Sequence, residues 1–366
     1  MRSSLASGAA VVVKVGSSSL APHGGGLDPE AVEQIVDHVA ALVAAGHPTA
    51  LVSSGAVAAG IPVLGSRPTD LPGFQVAAAV GQSRLMERYT ALFAEHDLTA
   101  GQVLLTKDVL ANRQQYLNAR ETLSRMLALG VVPIVNENDS VGVEELRFGD
   151  NDRLAAVVSH LAGAGMLVLL TDTPGLFSGD PRLDDQAELI AAVRHNDEAL
   201  DEVVQGAPGP LGSGGVATKV AAARMAAWSG IPTVIAHAKE PDVVARAVAG
   251  EEIGTWIAPH TSALPARKLW IAFGQPAEGS LTIDAGAVAA LVERGKSLLA
   301  VGVTGVSGRF EAGAALEVES EGNLVAKGLS ELSSADIEAT VGRSSTDAGG
   351  VVIHRDQLVV LVSGNA

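Results

Sequence analysis

Over residues 1–260, short runs of aliphatic and β-branched residues alternate with longer Ala-rich stretches, and this alternation constrains the fold more than any other feature. The runs at Val11–Val15, Ala50–Val52, Gln102–Leu105, Val131–Val135, Met166–Leu170 and Thr233–Ala236 are continuous and apolar, the pattern of strands buried on both faces. Between the first two, Asp28 precedes Pro29 as an N-cap precedes a first helical residue, and the periodic pattern stops at Gly46. Phe74, Ala78, Leu85, Tyr89 and Leu92 recur at helical spacing, as do Leu117, Leu123 and Leu127. Strands that alternate with helices in this way dictate a three-layer α/β/α sandwich around a mostly parallel sheet.

The rhythm breaks near Pro259–Pro276. Short, turn-punctuated segments follow at 279–284, Ser297–Val303, Leu316–Glu319, Leu324–Lys327, Val351–His354 and Leu358–Val362, with helices expected over Asp284–Arg294 and Ser334–Val341. A large α/β domain over 1–262, a linker over 263–278 and a small, mostly β domain over 279–366 are therefore expected, which suits a chain of 366 residues.

Composition narrows the possible functions. With 25 Lys+Arg against 41 Asp+Glu the net charge is −16, and neither domain is basic, so a general polyanion-binding role is disfavoured. After Phe273 the only aromatic residue is Phe310, which leaves the small domain without a platform for stacking bases. The absence of Cys excludes disulfides, a thiol nucleophile and thiolate metal ligands. No segment reaches the roughly 18 apolar residues of a membrane span, and the opening residues do not form a signal-peptide core, so the chain reads as cytoplasmic.

Five stretches put glycine, hydroxyls or charges at strand carboxyl ends, where ligands bind in open α/β sheets. Lys14, inside an apolar strand and followed by Gly16-Ser17-Ser18-Ser19, suits a phosphate cradle; a snorkelling strand lysine before a turn is the plainer alternative. The small residues after Ser53-Ser54-Gly55 allow close approach of a ligand, or of a neighbouring helix. Asn136-Glu137-Asn138-Asp139 and Asp150-Asn151-Asp152 crowd carboxylates and amides onto adjacent loops, an environment that repels anions and suits an ammonium group or a divalent metal, beyond what helix capping needs. The Gly- and Pro-punctuated loop from Thr171-Asp172 to Arg182 could hold a nucleoside edge or be a surface turn. Gly212-Ser213-Gly214-Gly215-Val216-Ala217-Thr218-Lys219 runs into a helix with Lys219 in its first turn, where the helix dipole disfavours a cation unless a polyphosphate compensates.

Together these stretches make a phosphoryl-transfer site in which Lys14 and Lys219 flank the moving group and the acidic loops hold the cationic end of the acceptor. The Walker A pattern is absent, and His23, His47, His96, His160 and His237 have no visible partner for triad chemistry. A phosphorylated acceptor would need basic loops, and an N-acylated amino acid would lack the ammonium, so a free amino acid fits better. Aspartate and glutamate differ by one methylene, which these patterns leave open.

The stretches VVKVGSSSL, LVSSGAVAAG, AAVGQSRL, NARETL, VVPIVNENDSV, FGDNDRL, LTDTPGLFSGDPR and GSGGVATKVAAARMA resemble those of the amino acid kinase family over residues 10–260. LTIDAGAVAALVERGKSLL and VVIHRDQL resemble the PUA domain that one branch of that family carries. Ser17 stands where the family usually has Thr, which keeps the hydroxyl. The resemblance implies ATP-dependent phosphorylation of the side-chain carboxylate of L-glutamate to γ-glutamyl phosphate, the first step of proline biosynthesis. Carried over by position, Lys14 and Lys219 would stabilise the transition state and Asp152 would orient them. Ser54, Asp139 and Asn151, with Asp150 nearby, would bind the amino acid. Lys14, Thr171, Asp172 and Ser213, Gly214, Gly215, Val216, Ala217, Thr218 and Lys219 would bind nucleotide, with Mg2+ held mainly by the nucleotide phosphates and no protein ligand assigned to it. Homo-oligomerisation, feedback inhibition by proline and a downstream reductase receiving the product are also implied. Acetylglutamate kinase and aspartokinase are the competing members of the fold; the appended small domain and the paired Asn-Glu-Asn-Asp and Gly-Asp-Asn-Asp motifs argue against both. An RNA-binding or regulatory role, suggested by PUA modules elsewhere, is opposed by the charge of the module.

Overall fold

The first apolar run, Val11–Val15, forms β1 near the middle of an eight-stranded sheet in the computed structural model. The structure describes residues 2–21, 25–106, 109, 112–141, 150–197, 199–205, 215–261, 263–275, 277–341 and 350–361. The other strands are β2 (Thr49–Ser53), β3 (Thr99–Leu105), β4 (Val131–Glu137), β5 (Met166–Thr171), β6 (Ala192–Arg194), β7 (Thr233–His237) and β8 (Thr255–Ala258). Their spatial order is β3-β4-β2-β1-β5-β7-β8-β6, and only β7 and β8 pair antiparallel, so the sheet is mostly parallel as its sequence rhythm requires. β6 and β8 were not expected from sequence. β3 differs from its expected burial: it lies at the sheet edge, so Leu104 is 39% exposed.

Nine helices of this unit follow in chain order among the described residues: α1 (Ser17–Leu20), α2 (Pro29–Ala44), α3 (Ala56–Leu64), α4 (Leu71–Glu95), α5 (Arg113–Ala128), α6 (Asp150–Ala162), α7 (Ala199–Gln205), α8 (Val216–Trp228) and α9 (Val243–Val248). Asp28 caps α2 by accepting from the backbone N–H groups of Glu30 and Ala31, and Pro29 fills the first helical position. Side chains alternate along β1. Val11, Val13 and Val15 join one core with Val32, Ile35 and Val39 of α2, Leu85 and Tyr89 of α4, and Val244 of α9. Val12 and Lys14 face the opposite layer, where α6 meets β1 and α8 packs on α6.

α3 and α4 pack backbone to backbone. A Cβ on Gly81 would lie 1.7 Å from the Ala56 carbonyl oxygen and 2.5 Å from the Gly60 nitrogen, and one on Gly60 would lie 2.0 Å from the Ala77 oxygen. The small residues after Ser54 therefore serve helix–helix contact, one of the two uses their sequence allowed.

The chain divides into compact units at residues 1–263 and 264–366. In the second unit, α10 (Ala266–Leu269) and a π-helical turn (Trp270–Gly274) occupy most of the stretch expected as linker, and Ile271 and Ala272 are buried with Ala315, Leu329 and Val359. Its strands are β9 (Gly279–Ile283), β10 (Leu298–Leu299), β11 (Val303–Ser307), β12 (Ala315–Ser320), β13 (Asn323–Leu329), β14 (Val351–Ile353) and β15 (Leu358–Val360). Five form one sheet in the order β11-β9-β12-β13-β15, while β10 pairs with β14. α11 (Ala285–Val292) is capped by Asp284, and α12 (Ser334–Glu338) by a Ser333–Asp336 capping box. The strand expected over Ser297–Val303 is split: a 3-10 turn at Ala300–Gly302 separates β10 from β11.

Gly81→Ala is expected to destabilise the protein by at least roughly 1–3 kcal/mol, since neither backbone can give way without moving a helix. Urea denaturation would read this as a lower midpoint at unchanged slope.

Candidate active site

From β1 the chain first builds the β2-β4-β3 side of the sheet and then returns to β5 on the other flank of β1. The order reverses between β1 and β5, which opens a crevice at the strand carboxyl ends. α6 and α8, which touch each other, both have their N-termini at this crevice, as the contacts of Asp152 with Lys14, Thr218 and Lys219 require.

Asp152 is the hub. It lies in the first turn of α6, where a helix N-terminus favours negative charge, and is fully buried. Lys14 Nζ lies 2.5 Å from its Oδ1, Lys219 Nζ lies 3.5 Å from its Oδ2, and the Thr218 hydroxyl donates to Oδ2 at 2.7 Å. Lys14 is only 3% exposed. Gly16 is small for a local reason: a Cβ there would lie 3.3 Å from the Lys14 ammonium. Burial pushes the Lys14 ammonium pKa down, against the attraction of Asp152 and with repulsion from Lys219. Burial alone would raise Asp152, but Lys14 and Lys219 outweigh it and hold the carboxyl below the usual carboxylate range. Two ammonium groups thus share one buried carboxylate at the strand carboxyl ends, an arrangement suited to meeting an anion such as a phosphoryl group.

A second cluster lies at the ends of β2 and β4. The Asn151 amide nitrogen donates to the Ser54 hydroxyl at 3.0 Å and to Asn136 Oδ1 at 2.9 Å. Asn136 Nδ2 donates to Gln82 Oε1 of α4 at 2.8 Å. The two adjacent serines separate in role: Ser53 is fully buried and its hydroxyl meets the Tyr89 hydroxyl at 2.7 Å, whereas Ser54 faces the amides. Burial, eased by that hydrogen bond, raises the Tyr89 pKa and keeps the phenol neutral. Asp139 opens a 3-10 turn, Asp139–Val141, that lies against α4, and Asp150 opens α6. Neither Asn136 nor Gln82 was given a role of its own by the sequence. Asn136 carried a signal in its Asn-Glu-Asn-Asp motif, whereas Gln82 had none beyond AAVGQSRL.

At the end of β5, Thr171 is buried and donates through its hydroxyl to Asp172 at 3.1 Å. The following loop is held in place rather than free: the Thr255 hydroxyl accepts from the Leu176 N–H at 2.8 Å, and Phe177 bridges Leu189. Gly215 is the N-cap of α8, with Val216, Ala217, Thr218 and Lys219 in the first turn. Ser213 and Gly214 lie outside the described residues. The histidines are local: His47 bonds the Ala9 carbonyl, His96 pairs with Asp37, and His160 meets the Tyr116 hydroxyl. The His237 ring accepts from the Lys239 N–H, and His23 lies outside the described residues. Among the described residues no group of three His, Asp or Glu side chains is placed to hold a metal ion.

Asp152→Asn should cost about 3–5 kcal/mol of stability, because it leaves two cations without their carboxylate. With the folded pKa depressed, the stabilisation from Asp152 is complete above its unfolded value of about 4 and is lost as acid titrates the folded group below that. Denaturation of wild type and variant across acid pH would show their difference shrinking in that range.

Residues 9–237 match the model of the amino acid kinase family, and residues 279–349 that of the PUA domain. The chain is similar to the glutamate 5-kinase of Trichlorobacter lovleyi, at 46% identity over 362 residues covering 96% of each chain. It is likewise similar to that of Chromohalobacter salexigens, at 48% over 362 residues and 96% of each chain. A third, from a Marinomonas species, is 45% identical over 372 residues, covering 99% of this chain and 100% of the relative. The chain belongs to the amino acid kinase family, among the glutamate 5-kinases that carry a PUA domain.

Proposed function

We infer that this enzyme phosphorylates the side-chain carboxylate of L-glutamate with ATP, giving γ-glutamyl phosphate and ADP, the first step of proline biosynthesis in the cytoplasm. The observation that carries the reading is Asp152, buried and shared by Lys14 and Lys219 at the strand carboxyl ends. The near-full-length likeness to glutamate 5-kinases supports the choice of acceptor.

The chemistry asks little of a general base. The acceptor carboxylate is already ionised at neutral pH; its oxygen bonds to the γ-phosphorus while the bond to the bridging oxygen of ADP breaks. Lys14 and Lys219 balance the negative charge that spreads over the transferring group, and Asp152, held ionised, keeps the two ammonium groups apart and aimed. Ser54 and Asn151 form the acceptor wall, joined in this proposal by Asp139 and by Asp150 for the ammonium. Thr171, Asp172 and residues 213–219 would hold the nucleotide, and Mg2+ bound with it would add neutralising charge. The acyl phosphate is a reactive product, which suits prompt consumption by a reductase. Assembly as a homo-oligomer and feedback inhibition by proline complete the proposal.

Trapping acyl phosphate with hydroxylamine, in the presence of Mg-ATP, should give hydroxamate from L-glutamate and none from L-aspartate or N-acetylglutamate; UMP, followed by ADP release, should not react. Hydroxamate from N-acetylglutamate or L-aspartate instead would overturn the assignment. Lys219→Ala should lower kcat by about 10²–10³-fold with little loss of stability, since Lys14 and Thr218 still satisfy Asp152. Asp139→Ala should raise the glutamate KM about tenfold or more and leave the ATP KM unchanged.

A further inference from the structure

The amide cluster contains an internal reference that fixes its orientation. The Glu137 backbone N–H, which can only donate, points at Asn136 Oδ1 at 2.9 Å. Asn136 is therefore locked with its oxygen toward β4 and Asn151 and its nitrogen toward α4. Asn151 must meet that oxygen with its nitrogen, which turns Asn151 Oδ1 away. Gln82 must meet the Asn136 nitrogen with its oxygen, which turns Gln82 Nε2 away. A flip of any one of the three would bring donor against donor or acceptor against acceptor.

The chain of amides thus ends in one unsatisfied acceptor and one unsatisfied donor. Asn151 Oδ1 and Gln82 Nε2 are both buried without a hydrogen-bond partner among the described residues. Folded proteins rarely leave such atoms uncompensated. Their types are complementary to a free amino acid, whose ammonium only donates and whose carboxylate only accepts.

We propose that Gln82 is a specificity-determining residue of the acceptor site: its Nε2 donates to the α-carboxylate of the amino acid whose ammonium donates to Asn151 Oδ1. The inference rests on the reading of this cluster as the acceptor wall and adds a recognition element for the zwitterionic end. It also gives the AAVGQSRL stretch two adjacent jobs, with Gly81 setting the approach of α4 to α3 and Gln82 reaching the ends of β2 and β4.

Gln82→Glu separates recognition from scaffolding. A glutamate side chain still offers an oxygen to Asn136 Nδ2, but it replaces the outward NH2 by a carboxylate oxygen that repels an anion. Two acceptors are compared on the full-length protein: L-glutamate, and 4-aminobutyrate, which keeps the ammonium and the reacting carboxylate and lacks the α-carboxylate. Calorimetric titration without nucleotide should show L-glutamate binding weakened at least tenfold by Gln82→Glu, with 4-aminobutyrate binding unchanged or tighter. The ATP KM should stay at its wild-type value. Equal weakening for both ligands would overturn the proposal by reducing Gln82 to a prop for Asn136, and unchanged L-glutamate binding would overturn it outright. Because binding is read without turnover, a wild type that binds L-glutamate but transfers no phosphoryl group to it would count against the functional reading alone.

Discussion

Asp152 is buried where a lone carboxylate could not remain ionised, and the centre of the first unit is arranged around that fact. It needs Lys14 from the middle strand, Thr218 and Lys219 from α8, and the N-terminus of α6, and it brings these three elements to one point. The requirement is mutual. Lys14, inside a sheet of Val and Leu, would itself be intolerable without the carboxylate, and Gly16 stays side-chain-free beside its ammonium. The group that keeps the lysines charged is a single carboxylate shared between two ammonium groups. In the proposed reaction, stability and transfer chemistry would draw on the same three side chains.

The amide cluster, the proposed acceptor end, follows a different logic, built from dipoles rather than charges. Ser54, Asn151, Asn136 and Gln82 are linked in series from the end of β2 through α6 and β4 to α4. Such a series transmits orientation along its length, because each amide has one donor end and one acceptor end. Close packing of α3 on α4 supports it from behind. The two ends of the crevice therefore differ in kind: charged side chains around Asp152 at one, oriented amides and a hydroxyl at the other.

Most of the architecture was legible in the sequence, because continuous apolar runs and Ala-rich periods leave few alternatives to a parallel sheet between helical layers. β3 shows where that reading stops: an edge position is a property of the assembled sheet, and a run such as Gln102–Leu105 carries no mark of having a neighbour on one side only. β6 and β8 are short and pair with partners distant in the chain, so local composition did not reveal them. In the crevice, Lys14 was legible because a cation is conspicuous among valines. Thr218 was expected beside nucleotide; that its hydroxyl also donates to Asp152 is a contact only the convergence of two helix ends makes. Ser53 and Ser54 were indistinguishable as letters; strand alternation and Tyr89, 36 positions further along, assign them. Gln82 was the least visible, since one polar residue on a long helix has no pattern of its own.

The alternation along β1 also bears on how the chain finds this fold. A slip of one residue in the pairing of β1 with β2 or β5 would carry Lys14 to the face that packs on α2 and α4, where Leu, Ile and Val offer an ammonium nothing. Uniform valine strands are poor at specifying their own alignment; a single misplaced methylene row costs little. The lysine makes the error expensive, so the residue that would hold the phosphoryl group also acts as a registration mark for the strand laid down at the centre of the sheet.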